Sequence, residues 1–157
     1  MIYIQLILLL GIFLQDIKER KVYVFLLLLA LLVGGYTYYD NTFTPQLFFI
    51  NIFTNAMVVS IIVLLLFLYT KFKIRKNFFQ AIGFGDILFF LALSVSFPTI
   101  TFLVLFSSSL LFSLLLFISI KSKLNNKAVP LAGFQALFVF LILFINLVFN
   151  ILNLYAI

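Results

Sequence analysis

The sequence predicts an all-α, polytopic membrane protein, a bundle of six transmembrane helices forming one domain over residues 1–157 with both termini outside. Two observations carry that reading. Hydrophobic residues make up 66% of the chain and charged residues only 9%, where a soluble domain has about a quarter of its residues charged. The few charges are gathered in short clusters, and the stretches between them approach the roughly 20 apolar residues needed to cross a hydrocarbon core about 30 Å thick.

The first stretch, Met1 to Gln15, is short but spans if its helix continues through Asp16 and Ile17. Val22 to Tyr39 is the second and Leu47 to Thr70 the third. Asn77 to Phe97 is the fourth, and it contains Asp86. Pro98 separates it from the fifth, Thr99 to Ile120, because proline disfavours helix at the residue before it and has no N–H to donate. The sixth runs from Pro130, a residue well tolerated where a helix begins, to about Tyr155. The longest polar connections, Tyr38 to Gln46, Lys71 to Asn77 and Lys121 to Lys127, leave no room for a separate soluble domain, and no internal repeat is visible. The first stretch has no basic residue before it and no small-residue cleavage site after it, so it reads as a retained helix rather than a cleaved signal peptide.

The net charge of +6 could suggest nucleic acid, but in a membrane protein basic residues report topology first. They form three clusters: Lys18, Arg20 and Lys21; Lys71, Lys73, Arg75 and Lys76; Lys121, Lys123 and Lys127. With six spans all ten fall on one side, which the positive-inside rule makes cytosolic. Membrane lipids are the expected surroundings, and no nucleic-acid partner is expected.

Residues that are missing exclude whole classes of chemistry. With no His and no Cys, the chain cannot build a zinc finger, haem ligation, an iron–sulfur cluster, a Cys nucleophile or a Ser-His-Asp triad. No metal and no cofactor are expected. Titrating chemistry must come from Asp16, Glu19, Asp40, Asp86, or a Lys or Tyr. Asp40 lies in an outward turn, Tyr39-Asp40-Asn41, and reads as solvated. Glu19 relieves crowding among Lys18, Arg20 and Lys21.

Asp16 and Asp86 differ from those two. Asp16 closes the first stretch and reaches Arg20 as an i,i+4 pair if the helix runs on. Asp86 lies inside a stretch that otherwise reads as buried, where an Asp costs roughly 3 kcal/mol on insertion scales and usually serves a function. Alternating topology brings the end of the first helix and the start of the fourth to the same, cytosolic boundary. Two carboxylates meeting there cannot both ionise cheaply, so the pair shares a proton and supplies a general base and a general acid. That is aspartic peptidase chemistry. The glycines of Gly83-Phe84-Gly85 remove bulk beside Asp86 and permit backbone angles that other residues avoid, so a substrate backbone could come close.

These residues resemble the type IV prepilin peptidases, intramembrane aspartic peptidases marked by Gly-x-Gly-Asp. The family's first motif, an Asp followed four residues on by Arg, then x, Ile or Val and usually Pro, is matched by Asp16 to Val22, with Tyr23 in place of the proline. Its second is matched by Gly83-Phe84-Gly85-Asp86-Ile87, with Leu88 where Lys is frequent. Val129-Pro130-Leu131-Ala132-Gly133-Phe134-Gln135-Ala136 looks like the proline-containing start of the family's last helix, with Gly133 replacing a second proline. The resemblance implies catalytic roles for Asp16 and Asp86, a site shaped by Gly83 and Gly85, and geometric support from Arg20 and Pro130. It also implies a bacterial cytoplasmic membrane and pilin-like or pseudopilin precursors as substrates, cut between a short basic leader and an apolar helix. Many relatives carry a cysteine-rich region and methylate the new amino terminus; no cysteine is present, and methyl transfer is not predicted. The alternatives are a non-enzymatic membrane assembly subunit and a small proton-coupled carrier using the same carboxylates.

Overall fold

The computed structural model describes residues 1–74, 83–120, 129–150 and 153–155. The expectations that fall on Arg75, Lys76, residues 77–82, Lys121, Lys123, Lys127 and residues 151–152 lie outside the described residues. The chain is all-α. Six helices stand among the described residues: α1 (Ile2–Glu19), α2 (Val24–Asp40), α3 (Pro45–Tyr69), α4 (Phe84–Ser96), α5 (Thr99–Ile120) and α6 (Leu131–Phe149). One π-helical turn, Thr70–Ile74, extends α3.

Helix ends follow local chemistry. Pro45 opens α3 two residues before the expected Leu47, at the first-turn position where its missing N–H has no helical partner to lose. The helix α1 runs through Asp16 and Ile17 as expected but stops at Glu19, so Arg20 is not the next turn of a continuing helix. Arg20 takes a left-handed conformation (φ 57°, ψ 22°), and its N–H donates to the Asp16 carbonyl at 3.0 Å. The helix α6 ends at Phe149 rather than near Tyr155, because Asn150 turns left-handed (φ 49°), a conformation Asn tolerates better than most residues. Tyr155 instead sits in a turn that folds back, its ring stacked on Tyr38 (6.3 Å) and Phe97 (6.0 Å).

Among the described residues three helices are long and apolar enough to cross a membrane, Pro45–Phe72, Thr99–Ile120 and Leu131–Phe149, and they point to a multi-pass membrane protein. The helices α2 and α4 are apolar but shorter, and α1 carries Asp16, Lys18 and Glu19 in its last turn. The described part of the fourth stretch is helical over Phe84–Ser96, 13 residues that rise about 20 Å, and its expected start at Asn77 lies outside the described residues.

The most extensive contacts join α2 to α4 and α1 to α6, followed by α5 with α6. Gly34 lets α2 approach α4 closely, since a Cβ there would collide with the Ser96 side chain. Phenylalanines fill the interior: Phe90 meets Phe106 edge to face at 5.0 Å, and Phe102 is fully buried beside it. Asn55, fully buried on α3, donates through Nδ2 to the carbonyls of Ser94 and Phe97, both at 2.9 Å, which satisfies backbone groups left open where α4 ends before Pro98. At the same end of the bundle Asn51 donates to the Tyr38 hydroxyl (2.6 Å) and accepts from Thr99 (2.9 Å), linking α2, α3 and α5. Apolar side chains such as Phe49, Phe53, Ile61, Leu65 and Leu115 point outward, a surface suited to lipid rather than water.

Candidate active site

Asp16 and Asp86 converge on one helix end. The first N–H groups of a helix have no intrahelical acceptor, and in α6 two consecutive ones are taken by carboxylates from two other helices. The Ala132 N–H donates to Asp86 Oδ1 at 2.9 Å, and the Gly133 N–H donates to Asp16 Oδ2 at 2.7 Å. Consecutive backbone nitrogens in a helix stand about 3 Å apart, so the two carboxylate oxygens lie within about 9 Å of one another. The two acids act on each other electrostatically. A negative group at a helix N-terminus is favoured by the aligned peptide dipoles, which offsets part of the cost of bringing both acids together.

Each acid owes its place to its own helix. Asp16 is in the last turn of α1 and is only 7% exposed, because α1 packs along α6. Asp86 is in the first turn of α4 and is half-buried, so it is the more accessible of the two. Its own N–H donates to the Gly83 carbonyl at 3.0 Å.

The other expected site residues divide. Gly83 is exposed and caps α4, and a Cβ there would stand 3.1 Å from Asp86 Oδ2, so its bareness leaves room for the carboxylate. Gly85 faces α2, where a Cβ would make ordinary contact with Leu27 and Val22. The expectation that these glycines supply unusual backbone angles is corrected: no described glycine has positive φ, and Gly83 is extended at φ −63°, ψ 138°. What the site uses at Gly83 is space. Arg20 acts electrostatically on Asp16 from the turn that ends α1. Pro130 is buried at the N-cap of α6, and its carbonyl accepts from the Phe134 N–H at 3.1 Å.

The sequence reading missed the backbone donors of Ala132 and Gly133, and it missed Gln15. Gln15 Oε1 accepts from the Tyr23 N–H at 3.1 Å, bracing the turn between α1 and α2 next to Asp16. Both Tyr23 and Gly133 stand where the resembled motifs have proline, and both donate an N–H that proline lacks. Those two departures were the available signal. Leu88, the third departure, is half-buried against the apolar core. Gln135, two residues beyond Gly133 on α6, is fully buried, and neither end of its amide has a hydrogen-bond partner among the described residues. Among the described residues no three metal-binding side chains come together.

The chain matches no protein-family model, no curated protein and no solved structure.

Proposed function

We propose that this protein is an intramembrane aspartic endopeptidase of the prepilin peptidase type, using Asp16 and Asp86 as its dyad. The observation that carries the reading is the docking of both carboxylates, from helices α1 and α4, on the adjacent N–H groups of Ala132 and Gly133. In the reaction one carboxylate takes a proton from water, the resulting hydroxide oxygen attacks the scissile carbonyl, and the other, protonated carboxyl gives its proton to the developing oxyanion. Collapse of the tetrahedral intermediate breaks the C–N bond, and a proton passed back through the pair leaves with the amine.

The finer topology belongs to the same proposal. Six spans with both termini outside put the ends of α1, α4 and α6 that carry the site at the cytosolic boundary of a bacterial cytoplasmic membrane, beside Lys18, Arg20 and Lys21. A pilin-like precursor would present its cleavage point at that depth, with its basic leader held in the cytosol and its apolar helix in the bilayer. A proton-coupled carrier would be expected to hold its carboxylates near mid-membrane, whereas Asp16 and Asp86 stand in terminal turns.

Co-expression with pilin-like precursors, followed by sequencing of the resulting amino termini, tests the reading. The expected result is a new amino terminus at the start of the apolar helix with the wild type and none with Asp16→Asn or Asp86→Asn. Intact precursor beside well-expressed, membrane-inserted wild type would count against it.

A further inference from the structure

We propose that Gly133 is a positioning residue, whose backbone N–H and lack of a side chain together set where the Asp16 carboxylate stands. The inference rests on the dyad reading above and deepens it. The Gly133 N–H meets Asp16 Oδ2 at 2.7 Å. A Cβ at residue 133 would lie 2.8 Å from Asp16 Cβ and 2.9 Å from Oδ2, closer than side-chain carbons approach one another. The nearest obstacle is not a flexible tip. Asp16 Cβ is bonded directly to the backbone of α1, so a methyl group at 133 must push α1 away from α6 or swing the whole carboxylate aside.

The neighbouring donor has no such requirement. Ala132 carries a side chain, is itself buried, and still gives its N–H to Asp86. Within one helical turn, the donor to Asp86 therefore tolerates a Cβ and the donor to Asp16 does not. A proline at 133 would remove the N–H as well as filling the space. Gly133 thus lets Asp16 sit closer to the α6 backbone than any other residue type would allow, and that closeness fixes the spacing of the pair across which a water must fit.

The test uses the full chain in membranes. Gly133→Ala keeps the N–H and adds a methyl group; Gly133→Pro removes the donor too. Displacing a reacting group by about 1 Å costs about 100-fold, so both variants are expected to lose about that factor in kcat on a pilin-like precursor, with KM within about twofold of wild type. The pH profile of kcat is expected to move in both, because a hydrogen bond to a carboxylate changes its protonation. Gly11→Ala, at a glycine with nothing within 4 Å of an added Cβ, is the control expected to keep wild-type kcat. Wild-type kcat and an unmoved pH profile in the two Gly133 variants would overturn the inference. A second arm needs no activity. Asp16→Gly removes the Cβ that an alanine at 133 would strike, so Gly133→Ala is expected to lower the melting temperature in detergent in the wild-type background and to cost far less in the Asp16→Gly background. Equal losses in the two backgrounds overturn the inference whether or not precursor is cut. A loss confined to the wild-type background, beside a wild type that cuts no precursor, overturns the peptidase reading, and the positioning role falls with it.

Discussion

The backbone N–H of Ala132 donates to Asp86 Oδ1 at 2.9 Å, tying the first turn of α6 to the first turn of α4. The carboxylate therefore has two tasks, one as an N-terminal cap for α6 and one in the proposed chemistry, and substitutions can separate them. Asparagine keeps an acceptor oxygen but cannot shuttle protons. Asp16→Asn and Asp86→Asn are expected to lower cleavage by about 1,000-fold or more while leaving the detergent-solubilised melting curve nearly unchanged. Asp16→Ala and Asp86→Ala lose the cap as well and are expected to be about 1 kcal/mol less stable than the corresponding Asn variants. Asn variants that cleave normally would refute the catalytic role, and Ala variants as stable as the Asn variants would refute the capping role.

Asn55 isolates a purely structural contribution at the other end of α4. Its Nδ2 serves the carbonyls of Ser94 and Phe97 in a fully buried setting. Asn55→Ala leaves both acceptors without that donor and is expected to destabilise the fold by about 2 kcal/mol. The measurement is a thermal or chemical denaturation in detergent, alongside cleavage below the melting range. Unchanged stability would show that water or a backbone shift replaces the lost bonds.

Tyr155 makes a prediction in pH. Its hydroxyl is buried with no hydrogen-bond partner among the described residues, and burial pushes the phenol up from 10.0 to about 12. Because the unfolded phenol loses its proton first, the stability contributed by the neutral buried group is complete below pH 10 and is lost as pH rises towards about 12. Tyr155→Phe keeps the ring stacked on Tyr38 and Phe97 and removes the buried hydroxyl. It is expected to be about 1 kcal/mol more stable at neutral pH, and its advantage is expected to widen above pH 10. Parallel melting curves for the two proteins across the alkaline range decide the point, and an unchanging difference would show that Tyr155 is not titrating from a buried state.

How much of this was legible follows from what each feature is made of. The all-α class and helix starts such as Thr99 and the one after Pro130 rest on hydropathy and proline, which are local properties of the chain. The α1 stop at Arg20 and the α6 stop at Asn150 were not legible, because both depend on a left-handed residue with no glycine to announce it. Gly83 was singled out for backbone freedom and serves as space, since φ is ordinary there and the Asp86 carboxylate lies over it. Tyr23 and Gly133 looked like losses from a motif, yet each contributes a donor next to or at Asp16.

The sequence by itself determined that this chain is helical, that apolar solvent suits most of its surface, and that Asp16 and Asp86 are the two acids set into otherwise apolar stretches. Only the tertiary structure decided what those acids touch. Side-chain identity can place a carboxylate at a helix end, but the donors that receive it belong to the backbone of a third helix and are the same in every sequence except at proline. Which first turn has its open N–H groups filled, and by which acid, depends on the packing of α1 and α4 around α6, and on a Gly133 bare enough to let Asp16 in.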